Sequence, residues 1–522
     1  MGVEMYLRRF FLYSILAALT LMGIGPHQAL GASELEIKGK LEISVIDNFQ
    51  EGTSETHYYV HDEITGRVTR LLNISPEEAS RLSSGDKVIV KGRTSKDNAD
   101  RTVTVESISK VTDGSALIQL NKLSTELTDS RTVGIIMVTL NDGVPCDSAA
   151  RVSSLIFGAT KSVKDLYEKN THGRISFDGD LNGDGSPDVY HATVNMSGRG
   201  TCDHHGWASA ADDAVEAQGH DLSEYRHLIY ILPANTGCSW GGVAHGSRAS
   251  VRQSQLIVYA HEIGHLLGMG HAGTDVNNDG VHESEYGDWS SMMGNGPAVH
   301  MNGPNYVGMG LIGANVQDGV VGNFTLAPLA SAMDTLFPQV IRIPKPNTGE
   351  YYFLSYRRPE GYDSVLATKY TRGVSVHTAM YNGRGFTKFV KALAVGETFS
   401  DPGTGMDFHV TAQASDASSI SFSVSGSCSR VAPTIRASPD TRYTGAAGRG
   451  AYYVTIKNND GTLCPATRFH LSATFPGGVT GSFGQTEFTV SPGNSVSTSL
   501  SVVSTVVGTQ TFSLKLRDIG GG

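Results

Sequence analysis

Three histidines and one glutamate lie close together in the segment YAHEIGHLLGMGHAGTD, residues 259–275. His261 and His265 are four residues apart, so on a helix they lie one above the other on the same face. Two imidazoles one turn apart have the separation that a tetrahedral zinc ion accepts. Glu262 lies one step round the helix, where it can hold a metal-bound water without binding the ion itself. The spacing therefore predicts a hydrolytic zinc site.

The residues after this helix supply a third ligand. Glycine adopts the left-handed conformation without a Cβ clash, so Gly268 can turn the chain after a helix that runs from about Val251 to Leu267. His271 then returns to the metal. Three protein ligands leave the fourth position of zinc open for water, as in catalytic sites. Two alternatives are a decayed enzyme and a structural zinc site, which needs a fourth protein ligand and gives Glu262 no role.

The chemistry that such a site supports is hydrolysis. Zinc lowers the pKa of its bound water toward about 7 and polarises the carbonyl under attack. We expect the zinc-bound water to act as the nucleophile and Glu262 to accept its proton as the general base, then pass that proton to the departing amine. Peptide bonds suit this arrangement best, and hydrolysis of a non-peptide amide is a further alternative.

Two acidic loops have the spacing of calcium ligands. Each places oxygen donors at positions 1, 3, 5 and 9 of an EF-hand-like loop, with glycine at position 6. The predicted calcium ligands of the first loop, DLNGDGSPD, are Asp180, Asn182, Asp184 and Asp188. Those of the second loop, DVNNDGVHE, are Asp275, Asn277, Asp279 and Glu283. The twelfth position of the first loop is His191, so its closing ligand must come from elsewhere, for example Asp178, or its affinity for calcium is modest. The twelfth position of the second loop is Tyr286, so that loop also lacks a closing glutamate. A solvated turn is the alternative.

The elements around these motifs change character along the chain. Residues 32–128 alternate apolar and polar side chains in short runs, which predicts a small β domain. Strand and helix patterns mix from residue 131 to about 315, which indicates an α+β unit. From about residue 320 the patterns are purely β, and the Ser-, Thr- and Val-rich end is typical of an immunoglobulin-like sandwich. The N-terminal β domain is either a removable pro-segment or an ordinary accessory domain.

Composition and the first residues indicate the compartment. A length of 522 residues suggests three or four domains, and the formal charge of −10 argues against nucleic acid as a partner. Arg8 and Arg9 precede an apolar run, and small residues follow at Ala29 and Gly31, which predicts a secretory signal over residues 1–31. An uncleaved anchor is the alternative, although a spanning helix takes about 20 apolar residues. We expect a secreted monomer with no membrane span after signal removal.

Five cysteines are expected to pair in that compartment. Cys428 and Cys464 lie near the C-terminus and are predicted to join each other. Among the other three, Cys202 and Cys238 flank the strand-like stretch RHLIYILP and are predicted to form the second disulfide. Cys146 is then free, or it binds the metal as a thiolate in a latent form.

The zinc segment HEIGHLLGMGH resembles that of the metzincin metallopeptidases. YGDWSSMMGNG, residues 286–296, resembles the methionine turn of that clan, with Met293 as the better match than Met292. Within the clan the run Tyr-Gly-Asp-x-x-Ser-x-Met-Gly is similar to that of the gametolysin family, as are CSWGGVAHG and YYFLSYRRPEGYD. The similarity covers roughly residues 131–425. Some metzincins have a tyrosine two residues after the methionine, where this chain has Asn295, so the group that stabilises the oxyanion is not identified.

The resemblance implies a secreted zinc endopeptidase that acts on proteins, with matrix or cell-wall glycoproteins as candidate substrates. The predicted fold is multidomain, with an α+β metzincin-like catalytic domain flanked by an N-terminal small β domain and C-terminal β-sandwich domains. The predicted order is signal peptide 1–31, N-terminal β domain 32–128, catalytic domain 129–318, β-sandwich 319–427 and immunoglobulin-like sandwich 428–522. The alternative function is a calcium-braced cell-surface adhesion protein with a vestigial zinc site.

Overall fold

The computed structural model describes most of the chain after residue 32. The described residues are 33–79, 82–94, 102–111, 129–310, 315–331, 335–346, 348–426, 428, 430–439, 448–461, 463–464, 466–507 and 509–519. The predicted signal peptide, residues 1–31, lies outside them, as does residue 128, where the N-terminal domain is predicted to end. Within the described ranges, no helix is long and apolar enough to cross a membrane.

Five N-terminal strands close into a small barrel, as the alternating pattern predicts. The elements are β1 Ser33–Asn48, β2 Thr53–Asp62, β3 Val68–Leu72, helix α1 Pro76–Ala79, β4 Lys87–Thr94 and β5 Thr102–Lys110. The strands pair in the order β1–β2–β3–β5–β4 and back to β1. Alternate apolar residues such as Leu41, Val60 and Val90 fill the interior. Because β1 is sixteen residues long, its last residues extend beyond the barrel.

A mixed α/β unit follows, built on a sheet that continues from β1. Its strands are β6 Asp129–Thr139, β7 Ile175–Asp178, β8 Val189–Thr193, β9 His227–Ile231, β10 Gly242–His245 and β11 Arg248–Val251. Its helices are α2 Ala149–Phe157, α3 Val163–Thr171, α4 His204–Glu216 and α5 Leu256–Leu266, with a 3-10 turn at Leu222–Glu224. The strand order is β1–β10–β11–β9–β6–β7, and β8 also pairs with β6.

Both faces of this sheet are buried. Ile135 and Met137 of β6 pack on the side of α2, α3 and α5, whereas Ile136 and Val138 pack on the side of α4. A strand covered on both faces is continuously apolar, which explains the run GIIMVTL. The prediction that the zinc helix begins near Val251 is wrong, because Val251 ends β11, where it pairs with Gly242 and Ile231.

The next unit consists of two sheets. The elements are β12 Met269–Thr274, α6 Gly303–Gly308, β13 Val316–Asp318, β14 Gly322–Leu326, β15 Val340–Pro344, β16 Glu350–Tyr356, a 3-10 turn at Gly361–Val365, α7 Thr368–Thr371, β17 Gly373–Met380, β18 Gly385–Ala394, β19 Thr398–Asp401, β20 Met406–Gln413 and β21 Ile420–Gly426. One sheet has the order β12–β18–β17–β16–β15–β13, and the other has the order β14–β21–β20–β19. Strand β12 belongs to the predicted catalytic range 129–318, but it pairs in parallel with β18, which lies outside that range.

The C-terminal strands form a separate sandwich. They are β22 Thr434–Ser438, β23 Arg449–Lys457, β24 Thr467–Thr474, β25 Val479–Phe483, β26 Glu487–Val490, β27 Ser495–Ser504 and β28 Ser513–Asp518. A four-stranded sheet, β22–β23–β27–β25, faces a three-stranded sheet, β26–β24–β28. Residues of both sheets, including Ile456 and Leu471, share one core. The two β-sandwich units therefore fit the predicted architecture, while the boundaries of the five predicted segments stay predictions.

The disulfide predictions are confirmed. Cys202 is bonded to Cys238, and Cys428 is bonded to Cys464. Cys146 is free, and burial raises the pKa of its thiol to about 11, which disfavours the thiolate. Cys146 belongs to neither of the metal-ligand clusters that the described residues form, so the structure does not support its role as a latent metal ligand.

Candidate metal centre

The three predicted zinc ligands meet at one point. His261 and His265 lie on α5, and His271 lies on β12 after the chain turns at Gly268, which has a φ of +87°. The Nε2 atoms of His265 and His271 are 3.1 Å apart, and the His261 ring centroid lies 4.8 Å and 5.4 Å from those two rings. All three side chains are almost completely buried. The sequence spacing therefore produces the expected convergence.

Each imidazole is oriented by a contact to its Nδ1 nitrogen, while its Nε2 nitrogen faces the centre. His261 Nδ1 donates to the Met292 carbonyl at 3.1 Å, and His265 Nδ1 donates to the Met269 carbonyl at 2.8 Å. His271 Nδ1 lies 2.8 Å from Glu285 Oε1. These contacts fix the ring orientations and direct each Nε2 to the centre.

The donor set fits a zinc ion. Burial lowers the pKa of His261 well below its usual value, and the neutral imidazole is the form that binds metals. Its Nε2 is buried and makes no hydrogen bond within the described part of the chain. An orphaned ring nitrogen aimed at two further imidazoles is the feature that a metal ion would satisfy.

The fourth position of this centre is filled by Asp47, a residue that the sequence motifs did not indicate. Its Oδ1 lies 2.7 Å from His271 Nε2, and its Oδ2 lies 3.2 Å from His265 Nε2 and 3.8 Å from His261 Nε2. Although burial opposes it, the charges of His271 and His265 hold the pKa of Asp47 well below its usual value. In this structure the fourth coordination position, which was predicted to be open for water, therefore faces the Asp47 carboxylate.

The N-terminal barrel brings Asp47 to the centre. The last residues of β1 pair antiparallel with β10, and Asp47 lies opposite Gly242. The hairpin that follows adds further contacts, because the Phe49 ring packs edge-on against His261 with centroids 4.9 Å apart. Ser54 donates to Glu285, the partner of His271. One strand end and one hairpin tip therefore cover the metal centre.

Glu262 lies beside the centre, close to Asp47 and Gly242. Its side chain is fully buried, and neither carboxylate oxygen makes a hydrogen bond to the rest of the described chain. Burial, followed by the charge of Asp47, raises the pKa of Glu262 well above its usual value. Gly242 is required here because a Cβ on it would collide with this carboxylate. Glu262 does not belong to the cluster of ligand groups that converge here, and its role as the general base stays a prediction.

The methionine turn lies directly beneath α5. Met292 and Met293 are completely buried, and a Cβ on Gly264 would collide with the Met293 sulfur. The backbone of the same turn accepts hydrogen bonds from His261 and from Ala272. Met293 therefore packs in the core beneath the metal centre, which is a supporting role.

Residues of the two-sheet unit and of the loop after the methionine turn hold this turn in place. Asp288 accepts hydrogen bonds from Asn302 and from His377 of β17, each at 3.1 Å. Arg357 makes a buried ion pair with Asp363 at 2.9 Å and donates to backbone carbonyls on both sides of the turn region. The motif YYFLSYRRPEGYD thus supports the turn, since its Arg357 and Asp363 hydrogen-bond to the backbone at Ser290 and His300.

Tyr286 is the second residue whose position the motifs did not reveal. Its hydroxyl donates to Asp47 Oδ1 at 2.5 Å, and its ring lies 4.3 Å from that of His271. Asn295, at the position where some metzincins have tyrosine, donates to the Phe49 carbonyl. Tyr286 opens the Tyr-Gly-Asp motif of the sequence, but nothing in the spacing of that motif indicated that its hydroxyl points at the fourth metal position.

The two acidic loops have the same backbone construction. Asp180 accepts from the amides of Asp184 and Gly185 at 3.1 and 2.9 Å, and Asp275 accepts from those of Asp279 and Gly280 at 3.0 Å each. In the first loop Asn182 and Asp188 are hydrogen-bonded to each other. In the second loop Glu283 accepts from the Val276 and Asn277 amides.

Two lysines lie next to the second loop. Lys388 Nζ is 3.8 Å from Asp275 Oδ2 and donates to the Gly280 carbonyl, and Lys345 donates to Asn278. Neither loop is among the clusters of three or more ligand groups that the described residues bring together. Calcium binding by either loop stays a prediction.

Comparisons with known proteins agree with the metal centre. No curated protein matches the chain. Among solved structures, a crystal structure of a glycosyl hydrolase family 2 member from Bacteroides cellulosilyticus DSM 14838 aligns at 10% identity over 94% of this chain and 76% of that chain, with a TM-score of 0.14. So low a score carries no argument. The family model described as gametolysin peptidase M11 matches residues 158–389, which include all three imidazoles, the methionine turn and its β support. The family model therefore confirms the resemblance to the gametolysin metallopeptidases over those residues.

Proposed function

We propose that the protein is a secreted zinc endopeptidase of the metzincin type, made as a latent precursor. The observation that carries this proposal is the convergence of His261, His265 and His271 on one point, with the buried Glu262 carboxylate beside it. Three imidazoles and no protein thiolate suit zinc among the common divalent ions. The two disulfides support secretion, since such bonds persist in oxidising compartments.

The residues around the centre divide the work of peptide hydrolysis. When bound, a zinc ion supplies Lewis-acid polarisation of the carbonyl and activation of water. Glu262 takes the proton from the attacking water, for which its carboxylate must be ionised, and passes it to the amine of the leaving peptide. Tyr286 points its hydroxyl at the fourth position, where it can donate to the oxyanion once Asp47 has left.

The edge of the sheet offers a place for the substrate. Strand β10 pairs with β11 on one side and with β1 on the other, so departure of β1 would leave an unpaired edge that ends beside the metal centre. An extended peptide can add to such an edge through main-chain hydrogen bonds. We therefore propose that protein substrates bind antiparallel to β10, with matrix or cell-wall glycoproteins as the candidate class.

The N-terminal barrel occupies that substrate position. Its strand β1 runs antiparallel to β10 from Ser44 to Asp47 and delivers a carboxylate to the metal. A carboxylate in the fourth position would compete with the water and the carbonyl that hydrolysis needs. We infer that residues 32–128 are an inhibitory pro-segment and that their removal generates the active enzyme.

Proteolysis in the presence and absence of metal tests the proposed function. We expect the processed protein to degrade casein, to lose that activity when zinc is chelated and to regain it when zinc is restored. The released fragments should carry new amino termini. Absence of casein or matrix-protein cleavage in zinc and calcium would instead favour the adhesion hypothesis.

Tyr286→Phe is expected to lower the kcat of the processed enzyme by about 10²–10³-fold, which is the usual effect of removing one oxyanion donor. The phenylalanine retains the ring that packs against His271, so zinc content should not change. Steady-state kinetics on a fluorogenic peptide measures the effect. Tyr381→Phe, which alters a half-exposed ring remote from the centre, is the control. An unchanged kcat for Tyr286→Phe would remove this residue from the mechanism.

Calcium removal is expected to loosen the metal centre before it unfolds the protein, because the loop from Asp275 to Glu283 lies between His271 and the methionine turn. Activity should fall at a higher free calcium concentration than the near-ultraviolet circular dichroism signal. Asp184→Asn and Asp279→Asn should move both transitions to higher calcium, and Asp416→Asn, in an exposed turn, should not. Coincident loss of activity and of folding in the wild type would contradict the expectation.

A further inference from the structure

A second cluster of metal-ligand groups lies at the junction between the barrel and the α/β unit. It consists of Glu42, His205 and His245, and one ligand atom from each lies within 4.8 Å of those of the other two. None of these residues belongs to the zinc motif or to the acidic loops. We call them the junction cluster.

Strand pairing places the junction cluster on the opposite face from the first centre. His245 of β10 lies across from Ser44, which is two residues from Glu42 on β1, so both side chains project from one face. Asp47 is an odd number of residues from Glu42 and projects from the other. His205, in the first turn of α4, covers the face that carries Glu42.

The histidines of this region lack the partners that buried imidazoles normally have. His204, His205 and His245 each have a buried Nε2 with no hydrogen bond in the described part of the chain. His245 is 4% exposed, and its ring centroid lies 4.7 Å from that of His205 and 5.6 Å from that of His204. Buried polar groups are rarely left unpaired in native proteins, so these ring nitrogens indicate a missing partner.

The carboxylate of the cluster is oriented as a ligand would be. His61 Nε2 lies 2.8 Å from Glu42 Oε2, which leaves Oε1 facing His245 Nδ1 at 4.0 Å. Metal-binding carboxylates are commonly held in this way by an outer hydrogen bond. The Cys202–Cys238 disulfide anchors the chain three residues before His205, so the helix start is fixed as well.

We propose that Glu42, His205 and His245 bind a second divalent transition-metal ion, which joins the N-terminal barrel to the α/β unit. Two imidazoles and one carboxylate suit zinc, whereas calcium and magnesium prefer oxygen ligands alone. Water or the nearby His204 can complete the coordination. Because Glu42 comes from the barrel and both histidines come from the α/β unit, the ion bridges the two. This site does not depend on peptidase activity.

Zinc titration of the full-length protein tests the proposal. Metal-free protein in excess calcium, which saturates any calcium loops, is titrated with Zn²⁺ alone and analysed by calorimetry and elemental analysis. We expect two zinc ions per chain in the wild type, one in His245→Ala, one in His265→Ala and none in the double variant. His220→Ala, which removes an exposed histidine, should leave both ions.

Milder variants keep the test informative if His245→Ala fails to fold. His61→Ala should weaken the second zinc ion by about 10- to 100-fold, as is usual when the partner of a metal ligand is removed. Glu42→Gln should do the same, and with Co²⁺ it should alter one of two sets of visible absorption bands. Circular dichroism checks the fold of each variant.

One zinc ion in the wild type, lost in His265→Ala, would overturn the junction site. Retention of both ions by a folded His245→Ala protein would also overturn it. Each result is separable from failure of the proposed function, because an inactive protein with two zinc ions supports the junction site alone. An active peptidase with one zinc ion supports the proposed function alone.

Discussion

Glu262→Gln is expected to lower the kcat/KM of the processed enzyme by about 10²–10⁴-fold, the usual contribution of a positioned general base. Glutamine has nearly the same shape but cannot accept the proton of the attacking water. The three imidazoles are unchanged and Glu262 is not a ligand, so zinc content should stay that of the wild type. Peptide hydrolysis and elemental analysis of the same preparation measure both quantities.

Glu216→Gln is the matched control, because Glu216 is exposed at the end of α4. It should leave both activity and zinc unchanged. A Glu262→Gln enzyme that retained full activity would show that another group moves the proton. Loss of zinc together with activity would mean that Glu262 holds the site together, which would leave its role as the base unproved.

Asp47→Ala should give the second large effect, a full-length chain that cleaves a short peptide about 10²-fold faster than full-length wild type. Removing one partner of a buried charge cluster commonly costs about 3–5 kcal/mol, which corresponds to about 10²–10⁴ in an equilibrium constant. That loss favours departure of the barrel from β10. The rate of peptide cleavage immediately after purification measures the effect.

Glu51→Gln provides the control for this change, since Glu51 is an exposed carboxylate in the same hairpin. It should leave the precursor latent. If Asp47 instead belongs to the working enzyme, Asp47→Ala will bind zinc more weakly and gain no activity. N-terminal sequencing of the active secreted form separates the two cases, because a start near residue 129 supports a pro-segment and a start near residue 32 excludes it.

The parts of the centre that follow from local spacing could be predicted. His261, His265 and Glu262 lie on one helix, and a glycine turn brings back His271 only six residues after His265, so helix geometry was sufficient. The two disulfides could also be predicted, because few cysteines had to be assigned to pairs. In each case the deciding contacts lie within a short segment or within a small set of candidates.

Asp47 and the junction cluster could not be predicted from the sequence, because their residues are far apart along the chain. Asp47 is 214 positions before His261 in the sequence, and only the pairing of β1 with β10 brings them together. Its neighbours SVIDNF form an ordinary strand pattern with no sign of metal chemistry. Glu42, His205 and His245 likewise come from three separate elements. The position of Tyr286 depended on the fold of a loop, which periodicity does not specify.

The parallel pairing of β12 with β18 limits how the gene can be cut. A recombinant fragment that stopped at residue 318 would lack β18, so the strand that carries His271 would lose its neighbour. It would also lack Arg357 and His377, which hydrogen-bond to the His300 carbonyl and to Asp288 of the methionine turn. Cloning, domain shuffling or tag insertion must therefore treat residues 129–426 as one indivisible module.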